Sequence, residues 1–320
     1  MPGPLVSVII PFLDPRDDFL RDAVASVEAQ CYRPLELIFV NDGSAQSTVE
    51  LAKRLADSVD LPARFIEHPG GANRGCSATR NLGASTARGE YLAFLDADDV
   101  WVPTKLGEQV DILRSDAKLA MVFGLTRYWY SWQQGDGSLP ADFVVNRGVK
   151  RPVTMKPPAF VPLILRGRVI VPGPSNMMVR RDAYAHCGGF EETFRGMYED
   201  QAFLVKLGLD HCIAGVPRHW DAYRQHPDQM TARAGQLDAE RQARITFLTW
   251  VRQYCADKGM RAPEVWEAVN KEVWLTGATV AGSRTIRFRI AQRVKRWCLR
   301  LEELLLPAAM RQRLWGRPSV

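Results

Sequence analysis

Three carboxylates stand within four positions, at Asp96, Asp98 and Asp99, directly after the apolar run Tyr91-Leu92-Ala93-Phe94-Leu95. Like charges this close repel one another and resist desolvation, so either the cluster is solvated or something positive belongs among them. Asp96 and Asp98 alternate along what reads as a strand end, where residues two apart share a face and can present both carboxylates to one ligand. Hard divalent cations take such oxygen ligands, and magnesium or manganese bound this way keeps waters and takes up phosphate oxygens as well. The bland reading of an isolated pair at this spacing is a solvated turn or a helix cap. Asp99 has two readings of its own, orienting the cation or capping the helix that follows Pro103.

Other residues could share that chemistry. Asp42 precedes Gly43 in "NDGS" and is either a turn residue or a ligand contact. Arg80 lies one helix turn beyond Gly75, and a glycine at a helix N-terminus followed by an arginine suits an anion; otherwise it is a surface arginine on a crossover helix. Glu199 and Asp200 open a helix, where acids are favourable in any case; adjacent residues diverge there, so only one should face a given ligand. His226 precedes Pro227, where a lone histidine reads as a loop residue.

The elements that must position these groups alternate. Val6–Ile10 and Leu35–Val40 are β-branched or apolar runs, ended by Pro11 and by Asn41-Asp42-Gly43-Ser44. Asp17–Gln30 carries apolar residues at helical spacing, and Ser47 to Glu50 fits a capping box for a helix running to about Val59. Arg64–Ile66 reads as a third strand, Gly75–Thr86 as a third helix and Tyr91–Leu95 as a fourth strand. This rhythm predicts a parallel sheet with right-handed crossovers, in which ligands bind beyond the carboxyl ends of the strands. Asp14, Asp42 and the Asp96–Asp99 cluster all fall there, so acids from three strand ends are expected on one rim. Further on, the sequence predicts a helix from Pro103-Thr104 to about Ser115, a strand over Met121–Tyr130, an irregular surface segment over Gln133–Pro158, a strand over Pro174–Arg181 and a helix near Glu199-Asp200. After about Met230 long helical patterns rich in arginine begin.

Taken together, "VSVIIPFLDP", "ELIFVNDGS", "NRGCSATRNLGASTARGEYLAFLDADD" and "MYEDQAFLVKL" resemble the inverting glycosyltransferases of family 2, from Val6 to about Thr231. The resemblance implies the GT-A fold, an α/β architecture with a Rossmann-like, mostly parallel sheet flanked by helices. It divides the chain into a catalytic domain over 1–230, with a nucleotide-binding half (1–100) and an acceptor half (101–230), and a helical C-terminal extension over 231–320. It implies transfer of a sugar from a nucleotide-diphosphate donor, UDP by family frequency, to an acceptor hydroxyl with Mn²⁺ or Mg²⁺. A bacterial surface polysaccharide or glycan is the implied destination. Residue by residue, it implies nucleotide-sugar contacts at Pro11, Phe12, Asp14, Asp42, Arg80 and Asp96, metal ligands at Asp98 and His226, and a catalytic base at Asp200. Gly188-Gly189-Phe190 matches the "GGF" that precedes this acid in the family. The non-catalytic alternative is a sugar-nucleotide-binding or membrane-docking protein of the same fold, which would be expected to lose Asp98 or Asp200.

Composition narrows the field. The chain has 320 residues, 46% hydrophobic and 24% charged, with net charge +6, too weak a balance to argue for nucleic acid. Its six cysteines form no CxxC pair, against a zinc site or disulfide framework and in favour of a reducing compartment. No basic n-region precedes a long apolar core at the N-terminus, and no apolar run reaches the roughly 18 residues of a membrane span; a cytoplasmic location is expected. The segment Gly70–Gly75 falls short of GxGxxG because Ala72 breaks it, against a dehydrogenase, and no GxxxxGK[ST] exists for a P-loop NTPase. A sugar-nucleotide pyrophosphorylase lacks support, since no glycine-rich basic loop follows the first strand.

Two segments keep more than one reading. Tyr128–Trp132, "YWYSW", offers aromatic faces to an acceptor sugar or packs at a sheet edge. Arg284–Leu305 carries Ile286, Ile290, Val294, Trp297, Leu301, Leu304 and Leu305 at helical spacing, with seven basic residues and no acid between Arg284 and Arg300. Such a basic amphipathic pattern suits the inner face of an anionic membrane, the catalytic domain or a second subunit, the last implying a homo-oligomer.

Overall fold

The computed structural model describes residues 3–133, 140–227, 229 and 237–277. Its nucleotide-side half alternates as the sequence predicts: β1 (Val6–Phe12), α1 (Asp17–Glu28), β2 (Leu35–Asn41), α2 (Gln46–Ser58), β3 (Ala63–Glu67), α3 (Cys76–Thr86) and β4 (Tyr91–Phe94). β5 (Val100–Trp101), α4 (Lys105–Ser115), β6 (Leu119–Trp129), β7 (Phe143–Val144), β8 (Val153–Met155), α5 (Phe160–Leu165), β9 (Met178–Arg180) and α6 (Arg181–His186) follow. α7 (Glu199–Asp210), β10 (Cys212–Arg224), α8 (Leu237–Asp257) and α9 (Pro263–Thr276) complete the described chain. One sheet runs in the order β3-β2-β1-β4-β9-β6-β10-β5, with β7 on β6 and β8 on β10. β3, β2, β1 and β4 are parallel, β9 is antiparallel to both neighbours, and β6 and β10 are again parallel.

Both faces of the central strands are buried, which is why these strands read as continuous apolar runs rather than alternating ones. Parity sorts them. Val6, Val8, Ile10 and Phe12 of β1 join Leu35, Leu37 and Phe39 of β2 in one core with α1, α2 and α4. Ile9, Ile38, Val40, Leu92 and Phe94 point the other way, into a core shared with α5, α6 and α7. Phe247, Leu248 and Val251 of α8 and Val265, Ala268 and Val269 of α9 belong to that second core and are fully buried. The helices after residue 236 therefore close a face of the α/β domain.

Several local expectations are corrected. The Ser47–Glu50 capping box does not form: α2 starts at Gln46 behind Ala45, with no side-chain cap of its own. The Ala45 N–H is instead taken by the Asp14 carboxylate at 2.8 Å, from a different loop. Within Gln133–Pro158, read as irregular, the described part contains β7 and β8, and Val149 is fully buried. Pro174–Arg181 is a 3-10 turn over Pro174–Asn176, then β9 and the start of α6. The short strand β5 and β10 were not anticipated. β10 carries Pro217 and breaks register between Gly215 and His219, and a proline inside a run argues against a strand unless a bulge accommodates it. Arg284–Leu305 lies outside the described residues.

A buried polar seam ties the second half of the sheet together. Asn176 accepts the Gly124 N–H (2.6 Å), donates to the Leu125 carbonyl (2.9 Å) and to Asp221 (2.5 Å), and its own carbonyl accepts from Gln109 (2.8 Å). Lys105 donates to Gln109 at 2.7 Å and stands 4.3 Å over the Trp101 ring. Burial pulls the Lys105 amine down to about 7 and pushes Asp221 up to about 6. Such a network holds only when every member is satisfied. Asn176→Leu is expected to lower unfolding free energy by about 3–5 kcal/mol, because several buried partners at about 1–3 kcal/mol each lose their hydrogen bonds. A urea titration with unchanged slope and a lower midpoint checks this.

Candidate functional site

The site lies where β1, β2 and β4 end. At β1, Pro11 and Phe12 are strand residues buried in the core, Phe12 against Phe65 at 6.3 Å, and the loop begins at the half-exposed Leu13. The strand therefore runs on past Pro11, where the sequence reading ends it. Asp14 takes a left-handed φ of 41°, donates its N–H to Ser44 and caps α2, so its carboxylate links two strand-end loops. Asp42 is buried, and its carboxylate accepts the N–H groups of Arg74 (2.8 Å) and Gly75 (3.0 Å), fixing the start of α3. Gly43 permits that approach: a Cβ there would stand 2.9 Å from the Asn73 nitrogen, at a φ of +87°.

The "DADD" cluster resolves by face. Asp96 and Asp98 are about a third exposed, at 31% and 30%, whereas Asp99 between the layers is buried. Each acid has its own partner. Asp96 Oδ1 accepts from Arg80 Nη2 at 2.6 Å. Asp98 Oδ2 stands 3.1 Å from His226 Nε2. Asp99 accepts from Ser175 Oγ (2.7 Å) and the Arg224 N–H (3.1 Å), so it caps no helix. Burial and then the neighbouring Asp98 and Asp96 charges hold its carboxyl far above the ordinary range. Ser175 Oγ also accepts the Asp96 N–H at 3.1 Å, bracing the cluster from below.

Arg224 is the residue that sequence reasoning missed. Its guanidinium lies 4.3 Å from the Phe19 ring centroid and 4.6 Å from that of Trp129. Nε donates to the Asp98 carbonyl at 2.8 Å and Nη2 pairs with Asp22 at 2.8 Å. It thereby clamps the end of β10 onto the acidic turn and brings His226, two residues on, to Asp98. The only signal was an arginine two positions before the histidine. The same packing decides "YWYSW": Tyr128 stacks on Phe143 (4.9 Å, 5°) and Trp132 meets Phe19 edge-on at 5.1 Å, so both rings are engaged within the fold.

Asp98 and His226 are the groups that could hold a divalent cation. Among the described residues no set of three or more His, Cys, Asp or Glu converges on one point. Two donors 3.1 Å apart nevertheless fit a cation bound at about 2.1 Å, whose neighbouring ligands stand about 3 Å apart. Such an ion would complete its shell with waters and phosphate oxygens.

Asp200 lies in the first turn of α7. Its Oδ1 accepts the Gln201 N–H at 2.7 Å. Burial first and the Glu199 charge second push its carboxyl up to about 6, against a lowering pull from Arg80. Glu199 turns inward as well, contrary to expectation: its Oε2 is buried without a hydrogen-bond partner among the described residues, as are Arg80 Nε and Nη1. Arg80 is itself 4% exposed and lies over the Phe190 ring of the Gly-Gly-Phe segment at 5.2 Å. Its charge is paired with Asp96 and is also felt by Glu199 and Asp200. A buried cation with unused donors, a half-buried carboxylate of raised pKa and a two-donor cation site together suit proton removal beside an anionic leaving group.

Comparison with known proteins fits this chemistry. Over 122 residues the chain is 36% identical to the uncharacterized glycosyltransferase RT0329 of Rickettsia typhi, covering 38% of this chain and 36% of that protein. Over 112 residues it is 32% identical to Escherichia coli WfaP, a UDP-Glc:alpha-D-GlcNAc-diphosphoundecaprenol beta-1,3-glucosyltransferase, covering 35% of this chain and 42% of WfaP. The matched part thus spans well under half the length of these relatives. The mannosyltransferase PcManGT of Pyrobaculum calidifontis, solved with GDP-Man and Mn²⁺, superposes with TM-score 0.58 at 17% identity over 98% of this chain and 83% of that one, which establishes a shared GT-A fold. The family profile for glycosyl transferase family 2 matches residues 7–188, more than half of the sequence, and the chain belongs to that family.

Proposed function

We propose that this glycosyltransferase moves a sugar from a UDP-sugar to an acceptor hydroxyl with inversion at C1, Asp200 acting as base. The observation that carries the reading is the pairing of Asp98 with His226 at 3.1 Å across 128 positions of sequence, on the rim that also holds Arg80 and Asp96. Asp98 and His226 would hold Mn²⁺ or Mg²⁺, which when bound neutralises charge on the leaving diphosphate. The protein's own groups do the rest. Arg80 adds a fixed positive charge beside Asp96, and Asp200 accepts the acceptor's hydroxyl proton. The new C1–O bond forms as the C1–O bond to the diphosphate breaks, and the nucleoside diphosphate leaves. WfaP's name specifies a UDP-sugar and a lipid-linked acceptor. That name supports a UDP-sugar donor and a lipid-linked sugar acceptor. Together with the seven cations of Arg284–Arg300, it also supports peripheral contact with an anionic membrane.

Thermal midpoints measured against UDP, GDP, TDP and CDP, with and without Mn²⁺, test the donor site. Ligands of the native state raise the midpoint by mass action. With two protein donors to the ion, Mn²⁺ alone is expected to shift the midpoint little, and UDP with Mn²⁺ clearly more. Asp98→Ala should remove the Mn²⁺-dependent part. A flat response from folded protein to every nucleotide overturns the proposal.

The pH profile tests the base. Asp200 must be ionised to accept a proton, so kcat/KM is expected to fall as pH drops through about 6. Glu199→Gln removes a like charge and should move this acid limb to lower pH. Asp200→Asn should reduce transfer about 10²–10⁴-fold. The sign for stability is opposite. A carboxyl whose folded pKa is raised penalises the native state above about pH 6 and not below the ordinary carboxylate range. Asp200→Asn should therefore raise the thermal midpoint at pH 8 and leave it unchanged near pH 4.

A further inference from the structure

The backbone immediately before Asp200 is unusual. Tyr198 has φ 70° and ψ 6°, one of two non-glycine residues with positive φ in the described chain. Glycine or asparagine takes this left-handed conformation readily, and a tyrosine does so only where its surroundings impose it. Its ring contacts run to α8. The Tyr198 ring stacks on Phe247 with centroids 4.8 Å apart and planes 12° from parallel. The same helix holds the middle of the preceding loop: Phe194 meets Phe247 at 6.1 Å and Trp250 edge-on at 5.5 Å. Arg244, one turn before Phe247, covers both rings at 5.8 and 5.6 Å. It is braced by the Leu165 carbonyl (3.0 Å) and by Glu272 of α9 (3.3 Å). The Tyr198 carbonyl in turn accepts the Ala202 N–H at 2.8 Å, the first hydrogen bond of α7.

We infer that α8 is the surface against which the base is set, with Phe247 and Tyr198 as positioning residues that fix the first turn of α7 and hence the direction of Asp200. The inference rests on the reading of Asp200 as base and extends it to the helices after residue 236, beyond the 7–188 family match. Removing the ring anchor frees the loop from Glu191 to Tyr198 to turn the carboxylate away from the acceptor, while Asp42 and Asp98 take their hydrogen bonds from the start of α3 and from the end of β10 and His226 rather than from that loop. The competing account is ordinary core packing, with the left-handed residue merely tolerated.

Tyr198→Gly separates the two, because glycine adopts this φ freely but carries no ring. The positioning role predicts a thermal midpoint within a few degrees of wild type, unchanged UDP affinity with Mn²⁺, and kcat reduced about 10- to 100-fold. Tyr198→Phe, which keeps the stacked ring, should retain kcat within a few-fold. Phe247→Ala should reproduce the kcat loss with nucleotide affinity intact. Wild-type kcat in Tyr198→Gly overturns the inference, and so does a parallel loss of kcat and nucleotide binding in that variant. Undiminished transfer by Asp200→Asn would instead remove the underlying base assignment, whatever the Tyr198 variants do.

Discussion

The site depends on how three carboxylates are kept together at the end of one buried strand. Each solution is different. Arg80 offsets Asp96 by direct contact, His226 faces Asp98, and Asp99 is driven toward its neutral form by burial and by its neighbours' charge. Two of the acids stay partly open, and the one that turns inward becomes a structural acceptor for Ser175 and Arg224. A turn makes that division: past the end of β4 the Asp99 N–H donates to the Asp96 carbonyl at 3.1 Å, and the chain reverses with Asp98 partly open and Asp99 buried. A charge cluster that would otherwise oppose folding is thus divided between a recognition edge and an internal brace.

The brace depends on the fold's second half. Arg224 is held between aromatic rings and contributes its backbone N–H, Nε and Nη2 to three different acids or carbonyls. Arginine suits this place because its flat guanidinium stacks on rings while its edge still donates. Trp129 at the end of β6 and Trp132 just beyond it build that slot with Phe19 of α1. α8 and α9 do the corresponding work on the other core, so the two sides of the cleft are each supported by sequence far from the acids they position.

How legible this was from sequence varied with the range of the interactions. β1 to β4 and α1 to α3 were readable because their apolar runs and turns are local signals. Asp98, Asp200 and His226 came from resemblance, and the geometry brings Asp98 and His226 together. β10 was missed because Pro217 and the polar residues around it obscure a strand that tolerates them at a register break. The α2 cap was misread because its partner, Asp14, comes from a loop thirty-one positions away. Arg224 was invisible for the same reason: nothing local distinguishes an arginine enclosed by rings from one in water. Pro11 and Phe12 were placed in a loop because a proline after a strand usually ends it, yet both here continue the pairing with β2.

The register break in β10 also has a bearing on how this protein could vary. Side chains alternate along a strand, so inserting or deleting one residue usually exchanges its two faces. Between Gly215 and His219 the pairing with β6 is already out of step, leaving slack that separates the stretch paired with β8 from the stretch that carries Arg224 toward Asp98. Length changes on the β8 side of that break can be absorbed before they reach the acidic turn. The bulge would act as an expansion joint, taking up a change of length at one end of the strand while the other keeps its pairing with β6.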